Sequence, residues 1–159
     1  MRQTHNTLSL EIRIQSAELL NKHLAAAIDL HGQVKQAHWN VRGPNFIAIH
    51  ELFDKVSEAV ESYSDMLAER AGALGGMAEG TIQVATERSY LIRYPLMIGD
   101  ENKHVFAVSA ALAGFGEGVR EAIDTSAKFG DACTSDLFTE IARGVDHQLW
   151  FVESNTSSK

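Results

Sequence analysis

His38, His50, Asp54, Asp65 and Glu69 fall within one stretch of chain and offer two imidazoles and three carboxylates, with no thiolate among them. That donor set suits iron, manganese or zinc held at hydrated, reactive positions better than a closed structural zinc site. From Phe46 onward the stretch reads as one long helix, opened by Gly43-Pro44-Asn45. Asn45 is expected to cap the first free amides, and Pro44 to stop the preceding turn. With His50 at zero and about 100° per residue, Asp54 falls near ~40°, Asp65 near ~60° and Glu69 near ~100°. Glu58 and Glu61 share this arc and are open candidates for assisting metal transfer. Phe53, Val56, Val60, Tyr63, Leu67 and Leu74 occupy a different arc, so the helix has a core face and, beside it, a coordinating face.

One chain cannot close this site alone. At about 1.5 Å rise per residue, Asp54 and Asp65 stand roughly 16 Å apart along the axis, whereas metal–ligand bonds are near 2 Å. Each helix therefore carries two half-sites. Antiparallel packing of two copies about a two-fold axis brings the His50/Asp54 end of one against the Asp65/Glu69 end of the other, giving two equivalent centres. His38, just before the turn, can join the His50/Asp54 half. Acidic residues four apart also make an ordinary solvated helix face. The second acidic pair in angular register, and the histidine ahead of the turn, favour coordination.

The elements that must position these residues follow from apolar periodicity. A first helix is expected from about Thr7 to His38, through Leu8, Ile12, Leu19, Leu24, Ile28, Leu30 and Val34. His23 and His31 lie in it as surface or packing histidines, and Trp39 reads as a large buried anchor that is also the oxidisable side chain nearest a redox metal. The second helix, Phe46 to about Leu74, ends at Gly75-Gly76, a pair suited to a left-handed cap. The connection from Gly76 to Gly99 is too long for a tight turn; it accommodates a short helix from Ile82 to about Leu91 and closes at Pro95. Such a crossover makes the second and third long helices parallel. The third long helix runs from Asp100 to about Lys128, with Val105, Phe106, Val108, Leu112, Phe115, Val119 and Ile123 apolar. Gly114, Gly116 and Gly118 in its middle have no evident reason in the sequence. The fourth starts near Thr134 or Ser135 and runs to about Ser154, with Leu137, Phe138, Ile141, Val145, Leu149, Trp150 and Val152.

The expected fold is thus all-α, a ferritin-like four-helix bundle with a short helix in the crossover between helices two and three. It forms one domain over residues 1–159, with 1–7 and 155–159 as flexible tails. No stretch approaches the roughly twenty apolar residues of a membrane span, and the amino terminus lacks the apolar run of a signal peptide, so the cytoplasm is the default expectation. The single Cys133 makes no internal disulfide. A net charge of −7, with no clustered basic segment, argues against nucleic acid as the main partner and favours cations.

Competing chemistry is sparse. A di-iron site inside a single bundle needs two Glu-x-x-His pairs, and the chain has only Glu101-x-x-His104, read here as structural or solvated. Phosphate-binding loops, dinucleotide fingerprints and nucleophile elbows are absent. Asp131, Asp136 and Glu140 at the start of the last helix complement its dipole or, alternatively, line a cation channel around a symmetry axis.

The block His38-Trp39-Asn40-Val41-x-Gly43, followed by Phe46, His50, Phe53, Asp54, Asp65 and Ala68-Glu69-Arg70, resembles the pattern of the Dps family, the mini-ferritins. The resemblance continues through Leu74-Gly75-Gly76, Tyr94-Pro95-Leu96 and Leu149 to Asn155. It implies a dodecameric hollow shell of tetrahedral symmetry. Each ferroxidase centre takes His38, His50 and Asp54 from one subunit and Asp65 and Glu69 from its two-fold partner. Trp39 matches a tryptophan beside that centre, and Asp131, Asp136 and Glu140 match an acidic three-fold pore. The implied activity is oxidation of Fe(II), preferentially by hydrogen peroxide, with two irons per centre, ferric oxide stored in the cavity and protection against oxidative stress. Zinc or manganese are the substitutes for iron. The lysine-rich tails through which members condense DNA are missing here, so strong DNA binding is not expected; a nucleoid-associated role remains the alternative function.

Overall fold

The computed structural model describes residues 1–156. Five helices and, among the described residues, no strand make up the chain: α1 Leu10–Asn40, α2 Phe46–Ala73, α3 Ile82–Arg88, α4 Glu101–Phe129 and α5 Ala132–Glu153. The four long helices and the short one in the crossover are the expected set, with ends displaced by a few residues. The first helix starts later than expected because Ser9 caps it, its Oγ accepting from the Ile12 amide at 3.3 Å. The short helix stops at Arg88 rather than Leu91, and the last begins at Ala132 because Asp131 is its cap.

Cross-bundle bonds fix the direction of each helix. Asn45, before α2, bonds Glu101 at the start of α4, so α2 and α4 begin at the same end. Arg70, near the end of α2, bonds Asp131 at the start of α5, so those two run oppositely. The crossover therefore carries the chain along the bundle, from the end of α2 back to the end at which α2 began, as its length allows. Phe53, Phe115 and Phe138 are among the largest wholly buried side chains, each worth roughly 1.5–3 kcal/mol of burial. Leu20, Leu30, Ile49, Leu67, Leu112 and Ile141 fill the space between them.

Two apolar assignments fail. Phe106 and Trp150, counted with the core faces of α4 and α5, are 73% and 62% exposed. Periodicity marks a helix face only to within one residue position, and both side chains lie just beyond the edge of the buried stripe. His23 is a packing histidine: its ring meets Phe138 edge-on, and Nδ1 lies 2.9 Å from the Tyr90 hydroxyl. Burial, aided by Lys22, lowers its pKa to about 3.

Two of the three unexplained glycines gain a reason. A Cβ on Gly118 would sit 2.5 Å from the Tyr90 hydroxyl, so only glycine lets the crossover tyrosine reach His23. At Gly116 a Cβ would press on Val145 of α5 at 3.2 Å, while at Gly114 the nearest atom, on Leu91, is 3.7 Å away and leaves room for a methyl. The amino-terminal segment, expected as a tail, has its Arg2 amide donating to the Gly75 carbonyl at 2.6 Å. At the other end Asn155 and Thr156 extend α5 in turns, and 157–159 lie outside the described residues.

Candidate metal centre

The turn between α1 and α2 builds the histidine half of the site. His38 Nδ1 lies 2.9 Å from the His50 carbonyl, and His50 Nδ1 lies 2.9 Å from the His38 carbonyl. Carbonyls only accept, so both rings carry their proton on Nδ1 and, when neutral, keep the lone pair on Nε2, the form that ligates a metal. The rings stack at 3.8 Å between centroids, 22° apart in plane. Phe46, one turn before His50, closes the other side of the His50 ring at 5.1 Å. Two imidazoles are thus fixed in orientation by reciprocal bonds, each anchored on the backbone of the other helix.

Asp54 stands one turn beyond His50, with Oδ1 3.9 Å from His38 Nδ1. Its nearest partner is Lys35, whose Nζ is 2.8 Å from the same oxygen. The hydrogen bond from Lys35 is the main reason its carboxyl titrates below the ordinary carboxylate range, with the Coulombic pull of Lys35, His38 and His50 acting in the same direction. Lys35 is the residue that spacing reasoning passes over. Its readable signal is its place one turn before His38 on α1, which puts an ammonium over the same half-site. A cation binding at Asp54 must displace or outcompete it.

Asp65 and Glu69 are exposed on the far half of α2, one turn apart, away from the histidines. Within one protomer's described residues, no three histidine, cysteine, aspartate or glutamate side chains converge tightly enough to hold an ion. Glu58 and Glu61 are exposed between the two halves. Trp39 is 64% exposed beside His38 and is not the buried anchor expected of it, because α1 ends there and nothing in the protomer covers its ring.

The turn carrying these residues is held from behind. Asn45 does not cap α2 with its side chain as expected. Its amide and Nδ2 instead donate to Glu101, at 3.1 and 2.9 Å, and the Glu101 chain packs on Gly43 where a Cβ would collide. Glu101 and His104 are both buried, so the lone Glu-x-x-His pair is structural.

The acidic trio at the start of α5 divides. Asp131 is 1% exposed and already committed: it accepts from the Thr134 amide at 3.0 Å and hydroxyl at 2.6 Å, and pairs with Arg70 at 2.8 Å. Burial works to raise its pKa, yet the Thr134 bonds and Arg70 leave it below the ordinary value. It is a helix cap rather than a channel lining. Asp136 and Glu140 are exposed, and Asp136 borders an open recess of about 370 Å³ with Ser135 and Thr139.

An all-helical bundle of this topology, with imidazole and carboxylate donors set on its first two helices, defines a ferritin-like protein. A ferritin-like domain is matched over residues 17–157. The DNA protection during starvation protein of Agrobacterium fabrum is 38% identical over 156 residues, covering 98% of this chain and 96% of that one. Its counterpart in Mycolicibacterium smegmatis is 33% identical over 142 residues, covering 89% and 77%. Among solved structures, Mycobacterium smegmatis Dps superposes with a TM-score of 0.92 at 32% identity, covering 99% of this chain and 95% of that one. DpsC from Streptomyces coelicolor superposes at 0.93 with 29% identity, covering 99% and 92%. The chain belongs to the Dps family of mini-ferritins. No helix among the described residues is long and apolar enough to cross a membrane.

Proposed function

We propose that this protein is a ferroxidase and iron store. Two protomers related by a two-fold axis pool their half-sites, with His38, His50 and Asp54 from one facing Asp65 and Glu69 of the other. The observation that carries the reading is the reciprocal His38–His50 clasp, which leaves two oriented Nε2 lone pairs beside a carboxylate and has no evident purpose in packing alone. Iron is the substrate. Imidazole and carboxylate together hold Fe(II) and favour the harder Fe(III) product. Hydrogen peroxide takes one electron from each of two Fe(II) ions as its O–O bond breaks to two hydroxides, so no hydroxyl radical leaves the centre. Trp39 stands beside the histidines as the nearest oxidisable side chain.

The product is stored as ferric oxide in a dodecameric shell, and Asp136 and Glu140 guide Fe(II) inward around a three-fold axis. The setting is cytoplasmic. Protection of DNA, the role in the relatives' names, follows from consuming iron and peroxide together. Tight DNA binding is not part of the reading, because the net charge is −7.

The test is anaerobic Fe(II) titration of the purified assembly, followed by addition of peroxide or dioxygen with optical detection. Saturable Fe(II) binding and faster oxidation by peroxide are expected, and both are lost in Glu69→Gln and His38→Ala while the shell persists. Full peroxide-dependent rates in both variants would overturn the reading. A gel-shift titration at low and moderate salt checks the DNA statement.

A further inference from the structure

Behind the metal half-site lies a second pair of groups that the ferroxidase reading does not use. The Tyr94 hydroxyl is 2.6 Å from His104 Nδ1, a short bond between a half-buried phenol and an imidazole only 1% exposed. Nδ1 must accept, because the phenol is the donor, so His104 carries its own proton on Nε2. That nitrogen is buried and makes no well-formed hydrogen bond to any described residue. The carbonyls of Ile98 and Asn40 and the carboxylate of Asp100 are the groups that favour a charge on this ring, against burial, which keeps it neutral at rest. Asn40 directly follows Trp39 in the chain.

We propose that Tyr94 and His104 form a proton-coupled electron donor that quenches one-electron oxidants escaping from the metal centre; this rests on the ferroxidase reading. Such oxidants arise when peroxide meets a single Fe(II) in a half-filled centre and yields a hydroxyl radical or its equivalent. The Tyr94 O–H bond breaks, its proton forms an N–H bond on His104 Nδ1, and its electron reduces the hydroxyl radical to hydroxide. The products are a neutral phenoxyl radical and an imidazolium facing Asp100 and two carbonyls. A later Fe(II) returns the electron, becoming Fe(III), and the proton goes back to the phenol.

The chemistry depends on the short bond. A phenol that loses an electron without losing its proton becomes a strongly acidic cation; a neutral imidazole already aligned at 2.6 Å removes that barrier. Burial also raises the Tyr94 pKa, so at neutral pH the phenol holds the proton until oxidation occurs. Asn40, whose carbonyl acts on the His104 ring, is the backbone link from that ring to Trp39, exposed at the end of α1. Tyr90 has a similar bond to His23, at 2.9 Å, and is the internal competitor.

The test loads the assembly with Fe(II) at half the binding capacity, adds peroxide and freeze-quenches for electron paramagnetic resonance. A neutral tyrosyl signal is expected in the unmodified protein. It should be lost in Tyr94→Phe and retained in Tyr90→Phe and Tyr63→Phe, with Fe(II) oxidation within about twofold in all. Persistence in Tyr94→Phe, loss only in Tyr90→Phe, or no radical while iron is oxidised normally would each overturn the proposal. If Tyr94→Phe fails to assemble, nitroso spin-trap adducts are mapped by peptide mass spectrometry in the unmodified protein. Adducts on Tyr94 support the pair; adducts confined to Trp39, Tyr63 or Tyr90 refute it. Flash-generated ruthenium tris-bipyridine oxidant on the iron-free shell gives an independent reading. A phenoxyl yield that drops in His104→Phe supports the pair even if the shell oxidises no iron, whereas an equal yield counts against it.

Discussion

Complementation between two inactive variants tests the shared centre most directly. In Asp65→Asn/Glu69→Gln the carboxylate half is removed, and in His50→Ala/Asp54→Asn the histidine half. Asp54 and Asp65 are eleven positions apart on α2, or about 16 Å along the axis, far beyond the roughly 2 Å reach of metal bonds. No single chain can use both ends, so each homogeneous assembly should be inactive. When the two chains co-assemble at random in equal amounts, about half of the two-fold pairs are mixed, and each mixed pair holds one complete centre and one stripped of both halves. About a quarter of the unmodified peroxide-dependent rate should therefore return. Co-expression with two affinity tags, tandem purification of mixed shells and initial-rate optical measurements provide the assay. Zero recovery in shells shown by mass to contain both chains would refute the intersubunit argument, as would a full rate in either homogeneous assembly.

Acidification should destabilise the metal-free protein through His23. Its pKa falls from 6.5 in the unfolded reference to about 3 in the fold. Between those values the unfolded chain binds a proton that the native chain excludes, so stability drops as pH falls from 6.5 toward 3, by roughly 2 kcal/mol at pH 5. Denaturant melts at pH 7 and 5 should show this, and His23→Leu should flatten the slope; an unchanged slope contradicts it. Gly118→Ala should cost about 1–3 kcal/mol by driving a methyl into Tyr90, whereas Gly114→Ala should gain up to about 1 kcal/mol from helix propensity. Equal effects at the two positions would sink the packing explanation. Asn45→Ala leaves the buried Glu101 carboxylate with fewer donors and should cost about 1–3 kcal/mol, read by thermal unfolding, while weakening Co(II) binding at the histidine half. An unaltered melting temperature would remove Glu101 as the support of the turn.

Read alone, the sequence determined the helices, their order, the crossover and the angular register of the four candidate donors on α2. These depend on local periodicity, caps and the fixed rise of an α-helix, all written in neighbouring residues. Tertiary structure decided what spacing cannot encode. Whether Asp131 faces a channel or is consumed as a cap depends on Arg70, sixty-one positions away, and on the Thr134 hydroxyl. Asn45 serves Glu101 rather than its own helix because α4 begins beside it. The reciprocal histidine bonds and the Lys35 ammonium over Asp54 likewise arise only when separate helices meet, and the Tyr94–His104 contact only when the crossover folds onto α4. Side-chain hydrogen bonds are short-ranged and directional, so a shift of one residue in helix packing would dissolve them without changing the pattern that announces the helices.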